Sequence, residues 1–256
     1  MIKKRIIPKL VLGSNHNSNR IISGTSIQYD QFRTTGAPES QANIYQSTIS
    51  DELMVLISNK FSYQFVDVIS TLTRINNEVL MPVSFGGNIK NLKEVELIFE
   101  TGIEKIVFNR AQYLNPKLIK NTAARFGSQS VVASIDYIES QNQSDVLISY
   151  SGKTEIMNFE VLINLAESLG VGEICLNNKS RDGMMKGTDL LYLERARIMT
   201  QLPIIQSCGV GKIQHFIDAF NNGAEAVAAG TYFSFFDQNL LQVRNHIRNA
   251  GIDIRI

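Results

Sequence analysis

Three glycine-bearing turns and two aspartates carry most of the chemistry that this sequence can do. Phe85-Gly86-Gly87-Asn88, Ser207-Cys208-Gly209-Val210-Gly211 and Ala229-Gly230-Thr231 each follow an apolar run of strand length. Glycine lets backbone N–H groups approach an anion closely, and a following helix start adds a favourable dipole. Gly209, Gly230 and Thr231 therefore read as a phosphate cradle, or else as tight turns and nothing more. Gly87, Asn88 and Asn109 form a weaker second cup. Asp136 stands directly after the run Val131–Ile135, where a carboxylate can act as general acid or base or simply cap a loop. Asp182, in Ser180-Arg181-Asp182-Gly183, is the second candidate, although Arg181 could hold it in a turn and Asp-Gly is itself a turn signal. His16, His215 and His246 lack metal-ligand spacing. No metal and no cofactor is expected.

The elements that must position these groups are legible as apolar runs. Strands are predicted at Arg5–Leu12, Leu53–Ile57, Val83–Phe85, Lys105–Phe108, Val131–Ile135, Ile174–Leu176, Ile204–Gln206 and Ala226–Ala229. Helical spacing recurs between them, at Leu92–Glu100, Pro116–Phe126, Phe159–Leu169, Leu190–Thr200 and Ile213–Asn221. Eight alternating units predict a parallel sheet closed into a single (β/α)8 TIM barrel, a fold of typically about 250 residues; the chain has 256. An open doubly wound sheet is the rival, but Gly13 stands alone where that fold wants a glycine fingerprint. An internal repeat favours the barrel. Glu52-Leu53-Met54-Val55 returns as Glu173-Ile174-Cys175-Leu176, Pro82-Val83 as Pro203-Ile204, and Gly102-Ile103-Glu104 as Gly223-Ala224-Glu225, each 121 residues on. Half-barrels of roughly 1–127 and 128–256 follow. In such a barrel the active site lies at the C-terminal ends of the strands, and the loops after strands seven and eight commonly hold phosphate.

The formal net charge of +1 argues against a protein built to grip nucleic acid or an anionic membrane. Nowhere do 18 apolar residues run together, and the short apolar run in the basic start is broken by Pro8 and Lys9, so neither a membrane span nor a signal peptide is expected. Cys175 and Cys208 lie in apolar contexts and suit a reducing compartment. A cytoplasmic location is the expectation.

Arg5-Ile6-Ile7-Pro8, Asp51-Glu52-Leu53, Phe126-Gly127-Ser128-Gln129-Ser130-Val131-Val132, Ile135-Asp136, Arg181-Asp182-Gly183 and Gly223-Ala224 together resemble the cyclase subunit of imidazole glycerol phosphate synthase, the HisF family. The resemblance covers essentially the whole chain. It implies a barrel that takes ammonia from a HisH-type glutaminase at its floor and uses it at its mouth on a substrate with two phosphates. The products of that reaction are imidazole glycerol phosphate and a carboxamide ribonucleotide of the purine pathway. Of the family's two catalytic aspartates, Asp136 matches the one on strand five, whereas Val11 stands for the one on strand one. The family's first-loop lysine falls on Ser23, in a loop lengthened around residues 13–19, and its strand-two aspartate falls on Ile57. One phosphate site keeps Asn109 but has Asn88 and Arg110 for a glycine and a threonine. The other keeps Gly183, Ser207, Gly209 and Thr231. At the floor, the family's ring of gating charges is matched in full by Arg5, Glu52, Lys105 and Glu173.

This combination resembles a HisF-like subgroup found with polysaccharide genes and associated with converting a sugar acetamido into an acetamidino group. Cys208-Gly209 and Ala226-Val227-Ala228-Ala229-Gly230 resemble its strand-seven and strand-eight ends. The main expectation is therefore a barrel subunit of a glutamine amidotransferase complex, paired with a HisH-type glutaminase and serving a separate sugar amidotransferase. The alternatives are a histidine-pathway cyclase that tolerates Val11, and a non-catalytic scaffold that activates the glutaminase. All three leave room for a phosphorylated small-molecule ligand.

Overall fold

A computed structural model describes residues 3–14, 21–58, 63–142, 144–150, 153–235 and 240–255. In chain order the strands are β1 (Arg5–Ser14), β2 (Ile21–Ile27), β3 (Gln31–Gly36), β4 (Leu53–Ile57), β5 (Val83–Gly86), β6 (Lys105–Phe108), β7 (Val131–Glu139), β8 (Asp145–Tyr150), β9 (Lys153–Asn158), β10 (Glu173–Asn178), β11 (Ile204–Ser207) and β12 (Ala226–Ala229). The helices are α1 (Pro38–Ser47), α2 (Phe65–Glu78), α3 (Leu92–Glu100), α4 (Ala111–Leu114), α5 (Pro116–Phe126), α6 (Phe159–Ser168), α7 (Leu190–Met199), α8 (Ile213–Asn221), α9 (Thr231–Phe235) and α10 (Leu240–Asn249). Eight strands pair in parallel in the order β10, β11, β12, β1, β4, β5, β6, β7, and β7 pairs back to β10. The sheet is closed, so the (β/α)8 barrel expected from the sequence is the fold, and the open-sheet rival is excluded.

Alternation along each strand divides two cores, because successive side chains point to opposite faces. Ile6, Leu10, Leu53, Val55, Val131 and Ile174 face the helices. Ile7, Met54, Val107, Val132, Cys175 and Ile205 fill the inside of the barrel. Arg5, Ile7, Lys9 and Val11 thus share the inward face of β1. The last helix closes the floor: Arg244 Nη2 lies 2.7 Å from Asp51 Oδ1, and Asp51 Oδ2 accepts the Ile6 N–H at 2.8 Å. No helix among the described residues is long and apolar enough to cross a membrane.

Two features were not expected. Antiparallel hairpins follow the first and fifth barrel strands, β2–β3 after β1 and β8–β9 after β7. Their matching places echo the sequence repeat. So does the backbone: Gly102 and Gly223 have φ of 95° and 100°, and Asn88 and Gly209, also 121 residues apart, have φ of 46° and 85°. The hairpin β8–β9 lies between β7 and α6, inside one βα unit. The lengthened first loop, with His16, falls at residues 15–20, outside the described residues.

Candidate functional site

The mouth of the barrel is built from the strand ends that the sequence pointed to. Asp136 is the sixth of the nine residues of β7, facing inward. Its Oδ1 accepts from Ser134 Oγ at 2.8 Å and Asn177 Nδ2 at 3.0 Å, and Asn177 also donates to Ser134 Oγ at 2.7 Å. Burial pushes its pKa above the ordinary carboxylate range, and the two hydrogen bonds only partly oppose this. A carboxyl held this way keeps its proton more readily than an exposed one and is suited to taking and returning a proton.

Asp182 is 3% exposed. Its partner is not the neighbouring Arg181, which pairs with Glu139 at 3.0 Å; that turn reading is replaced by a longer-range one. Lys9 Nζ lies 3.2 Å from Asp182 Oδ1, and Ser26 Oγ donates to Asp182 Oδ2 at 2.6 Å. Lys9 also reaches Ser207 Oγ at 3.4 Å and Cys208 Sγ at 3.7 Å. Burial works against its charge, but Cys208 and Asp182 outweigh burial and raise its pKa, so Lys9 is a cation. Sequence reading missed Lys9 as a site residue because it interrupts an apolar run near a basic terminus. The usable signal was its parity: two residues below Val11, it must face the same way.

Two cavities open at the mouth. The larger, about 490 Å³, is lined among others by Lys9, Val11, Tyr29, Ile57, Asn109 and Asp136. That size suits a small phosphorylated ligand. At its rim Arg110 Nη2 donates to Asn88 Oδ1 at 3.4 Å. Gly87 also lines it, so the weaker cup of the sequence reading borders the more spacious side. Val11 is 7% exposed and brings no acid opposite Asp136.

The smaller cavity, about 20 Å³, brings together Lys9, Asp182, Gly183, Gly209, Gly230 and Thr231. It has room for about one water. Gly209 is required where it stands: φ is 85°, and a Cβ there would lie 2.1 Å from the Gly187 carbonyl oxygen. Hairpin β2–β3 lies over this side. Besides the Ser26 bond, Gln28 N–H donates to the Asp182 carbonyl at 2.9 Å, and Lys179 Nζ stands 5.5 Å from the Tyr29 ring centre. Gly183 fits beneath because a Cβ would lie 2.5 Å from the Ser26 carbonyl oxygen. Ser207 is fully buried, with its hydroxyl turned to Lys9. Ser23 is fully buried too, but its Oγ is directed to Thr35 Oγ1 and the Gly36 carbonyl instead of the mouth.

The four floor charges form a closed ring. Arg5 Nη1 lies 2.8 Å from Glu52 Oε2 and Arg5 Nη2 lies 3.1 Å from Glu173 Oε2. Lys105 Nζ lies 2.9 Å from Glu52 Oε2 and 3.0 Å from Glu173 Oε1. Each charge touches two of opposite sign, so none is stranded. Burial opposes the Arg5 charge, and Glu173 and Glu52 more than compensate. Above the ring lies the apolar interior of Ile7, Met54, Val107 and Cys175. Cys175 and Cys208 are both buried free thiols. His215 accepts from the Gly211 N–H at 3.0 Å.

Comparison with known proteins agrees over the full chain. A protein of Prochlorococcus marinus (strain MIT 9313), whose name gives it provisionally as imidazole glycerol phosphate synthase subunit hisF2, is 36% identical over 259 residues, 100% of this chain and 99% of that one. The protein named imidazole glycerol phosphate synthase subunit HisF in Chlorobaculum parvum (strain DSM 263 / NCIMB 8327) is 31% identical, and its namesake in Flavobacterium johnsoniae is 30% identical; each alignment covers 100% of both chains. The family model described as histidine biosynthesis protein matches residues 5–239, and the chain is therefore a member of that family.

Proposed function

We propose that the chain is the HisF-type cyclase subunit of an imidazole glycerol phosphate synthase, fed with ammonia by a HisH-type glutaminase. The full-length relatives carry that name, which favours it over the sugar-directed reading that the sequence put first. The observation that carries it is one barrel with two matched ends: a closed ring of four charges at the floor and Asp136 at the mouth, joined by an apolar interior.

The geometry suggests how each part would act. Ammonia is small and neutral, so an apolar interior passes it while the ring excludes water and ions. The ring must open for that passage, and Lys105, an ammonium on a flexible stem, is the member best able to swing. At the mouth one phosphate of the substrate would lie at Asn109, Asn88 and Arg110. The other would lie at Gly183, Ser207, Gly209, Gly230 and Thr231, which requires hairpin β2–β3 to lift, because the space beneath it holds about one water. Asp136 would move protons as nitrogen bonds to carbon.

Val11 favours a second reading, in which ammonia leaves for another acceptor, such as the acetamido group of a surface-polysaccharide sugar on a separate amidotransferase. Loss of one general acid–base group costs roughly 10²–10⁴-fold, so a cyclase without its strand-one aspartate is slow. The test is reconstitution with a HisH-type glutaminase, followed by assay of imidazole glycerol phosphate with glutamine and with an ammonium salt. Product in both assays supports the proposal. A complex that hydrolyses glutamine without product favours the second reading, and failure to bind the glutaminase overturns both.

A further inference from the structure

We propose that Lys9 is a catalytic residue of the mouth: its ammonium holds the oxygen of the carbonyl group to which ammonia adds. The assignment rests on the reading of the mouth as the place where ammonia meets its acceptor, and it deepens that reading by naming the group that replaces the missing strand-one carboxylate.

The case starts from position. Lys9 is 4% exposed, faces inward, and borders both the large cavity that contains Asp136 and the small one beside Gly209 and Gly230. Among the described residues it is the one cation that lines both. A buried lysine usually makes charge-assisted hydrogen bonds of about 2.7–2.9 Å. Its two oxygen contacts are longer, 3.2 and 3.4 Å, while the third, 3.7 Å to Cys208 Sγ, is an ordinary length for sulfur. Its N–H groups are therefore loosely held and able to turn to a ligand. The carboxylate it pairs with does not depend on it alone, since Ser26 Oγ donates to Asp182 at 2.6 Å and Cys208 Sγ at 3.4 Å. Tyr29, from the hairpin tip, lines the same cavity. Its phenol is kept protonated by burial first and by Asp136 second, which makes it a further donor facing that space.

The chemistry balances with these groups. The ammonia lone pair forms the new N–C bond while the C=O π pair moves onto oxygen. The nitrogen, now positive, gives a proton to the Asp136 carboxylate, and Asp136 passes that proton to the oxygen. An amino alcohol results and the carboxylate is restored. Lys9 keeps its protons throughout and stabilises the oxygen while it is negative, as preorganised donors do in oxyanion sites. Val11 makes room for this by placing no carboxylate beside the ammonium.

Two measurements test the assignment. The first needs no substrate: the Asp136 carboxyl is followed by ¹³C NMR in the full chain and in Lys9→Met. Lys179, Tyr29, Cys175 and Cys208 also surround that carboxyl and are unchanged in the variant. Loss of the Lys9 charge is expected to move the Asp136 titration upward; an unmoved titration means that Lys9 does not face the reacting space and overturns the proposal. The second is ammonia-dependent turnover of the bisphosphate substrate of imidazole glycerol phosphate synthase by the reconstituted complex. Lys9→Met is expected to lower kcat by roughly 10²–10³-fold with little change in KM. Lys9→Met with Asp182→Asn removes both charges of the pair, so no buried carboxylate is stranded if the single variant fails to fold. The double variant is expected to stay slow. Recovery of turnover there would make Lys9 only the neutraliser of Asp182. If the unaltered complex shows no turnover, the cyclase reading fails separately, and the titration alone decides the role of Lys9.

Discussion

At Asp136 the burial that makes a useful acid–base group also costs stability. Its folded pKa is raised, so the protonated form is favoured by folding, and stability is lost as pH rises through the folded value. A tenfold difference in proton affinity between the folded and unfolded chain corresponds to about 1.4 kcal/mol. Asp136→Asn is therefore expected to melt at a higher temperature than the unaltered chain at pH 8, with the gap closing toward pH 4. Thermal unfolding at the two pH values checks the stability half. Its turnover should fall by roughly 10²–10⁴-fold, read in the ammonia-driven assay. Val11→Asp is the complementary change. A carboxylate placed there stands two residues from Lys9 and competes with Asp182 for its ammonium, while Ser23 and Ile57 still lack the family's polar groups. Ammonia-dependent turnover is expected to rise less than tenfold, and a larger rescue would show that Val11 alone limits the site. Asp136 and Asp182 were visible in the sequence because the first stands directly after an apolar run and the second in an Asp-Gly turn signal. Lys9 was not, since composition and run length say nothing about which face of a strand a residue occupies.

The eight barrel strands were legible because each carries a mainly apolar stretch buried on both faces, as parallel strands are. The hairpins were not, for a physical reason. Along β9 the residues Lys153 to Glu155 are exposed, so that strand has no apolar pattern to read. In β2–β3 the turn uses Gln28 and Tyr29 at φ of 50° and 60°, where glycine or asparagine is the usual signal. Those two left-handed residues are sustained by what holds the hairpin down, chiefly the Ser26–Asp182 bond. A hydrogen bond to a charged group contributes about 1.5–3 kcal/mol. Ser26→Ala is therefore expected to raise hydrogen exchange across β2 and β3 while leaving β7 and β10 protected. If the hairpin is what narrows the cradle at Gly209, Gly230 and Thr231, inorganic phosphate should bind more tightly to the Ser26→Ala protein; unchanged binding would show that the cradle is narrow for another reason.

For the molecule as a whole, the floor ring bears on stability and, under the proposed function, on partnership as well. Removing one member of a fully buried ion pair costs about 3–5 kcal/mol; Lys105 is partly exposed, so its loss costs less, although it serves two glutamates at once. Lys105→Ala is expected to fold with a lowered melting temperature and to change glutamine-dependent product formation more than ammonia-dependent formation. Equal effects on both would leave the ring a structural device only. The repeat announced two matching halves, yet it gave no sign that the segment before β1 would be stitched to the one after α10. Lys4 N–H donates to the Asp253 carbonyl and Arg255 N–H to the Lys4 carbonyl, at 3.0 and 2.9 Å, while β1 pairs with β12. During synthesis β1 must therefore wait, one edge unpaired, until residue 229 has left the ribosome. An open strand edge invites pairing with other chains, so the chain made before β12 is the form most exposed to that hazard, and the docking of β12 on β1 is the event that ends it.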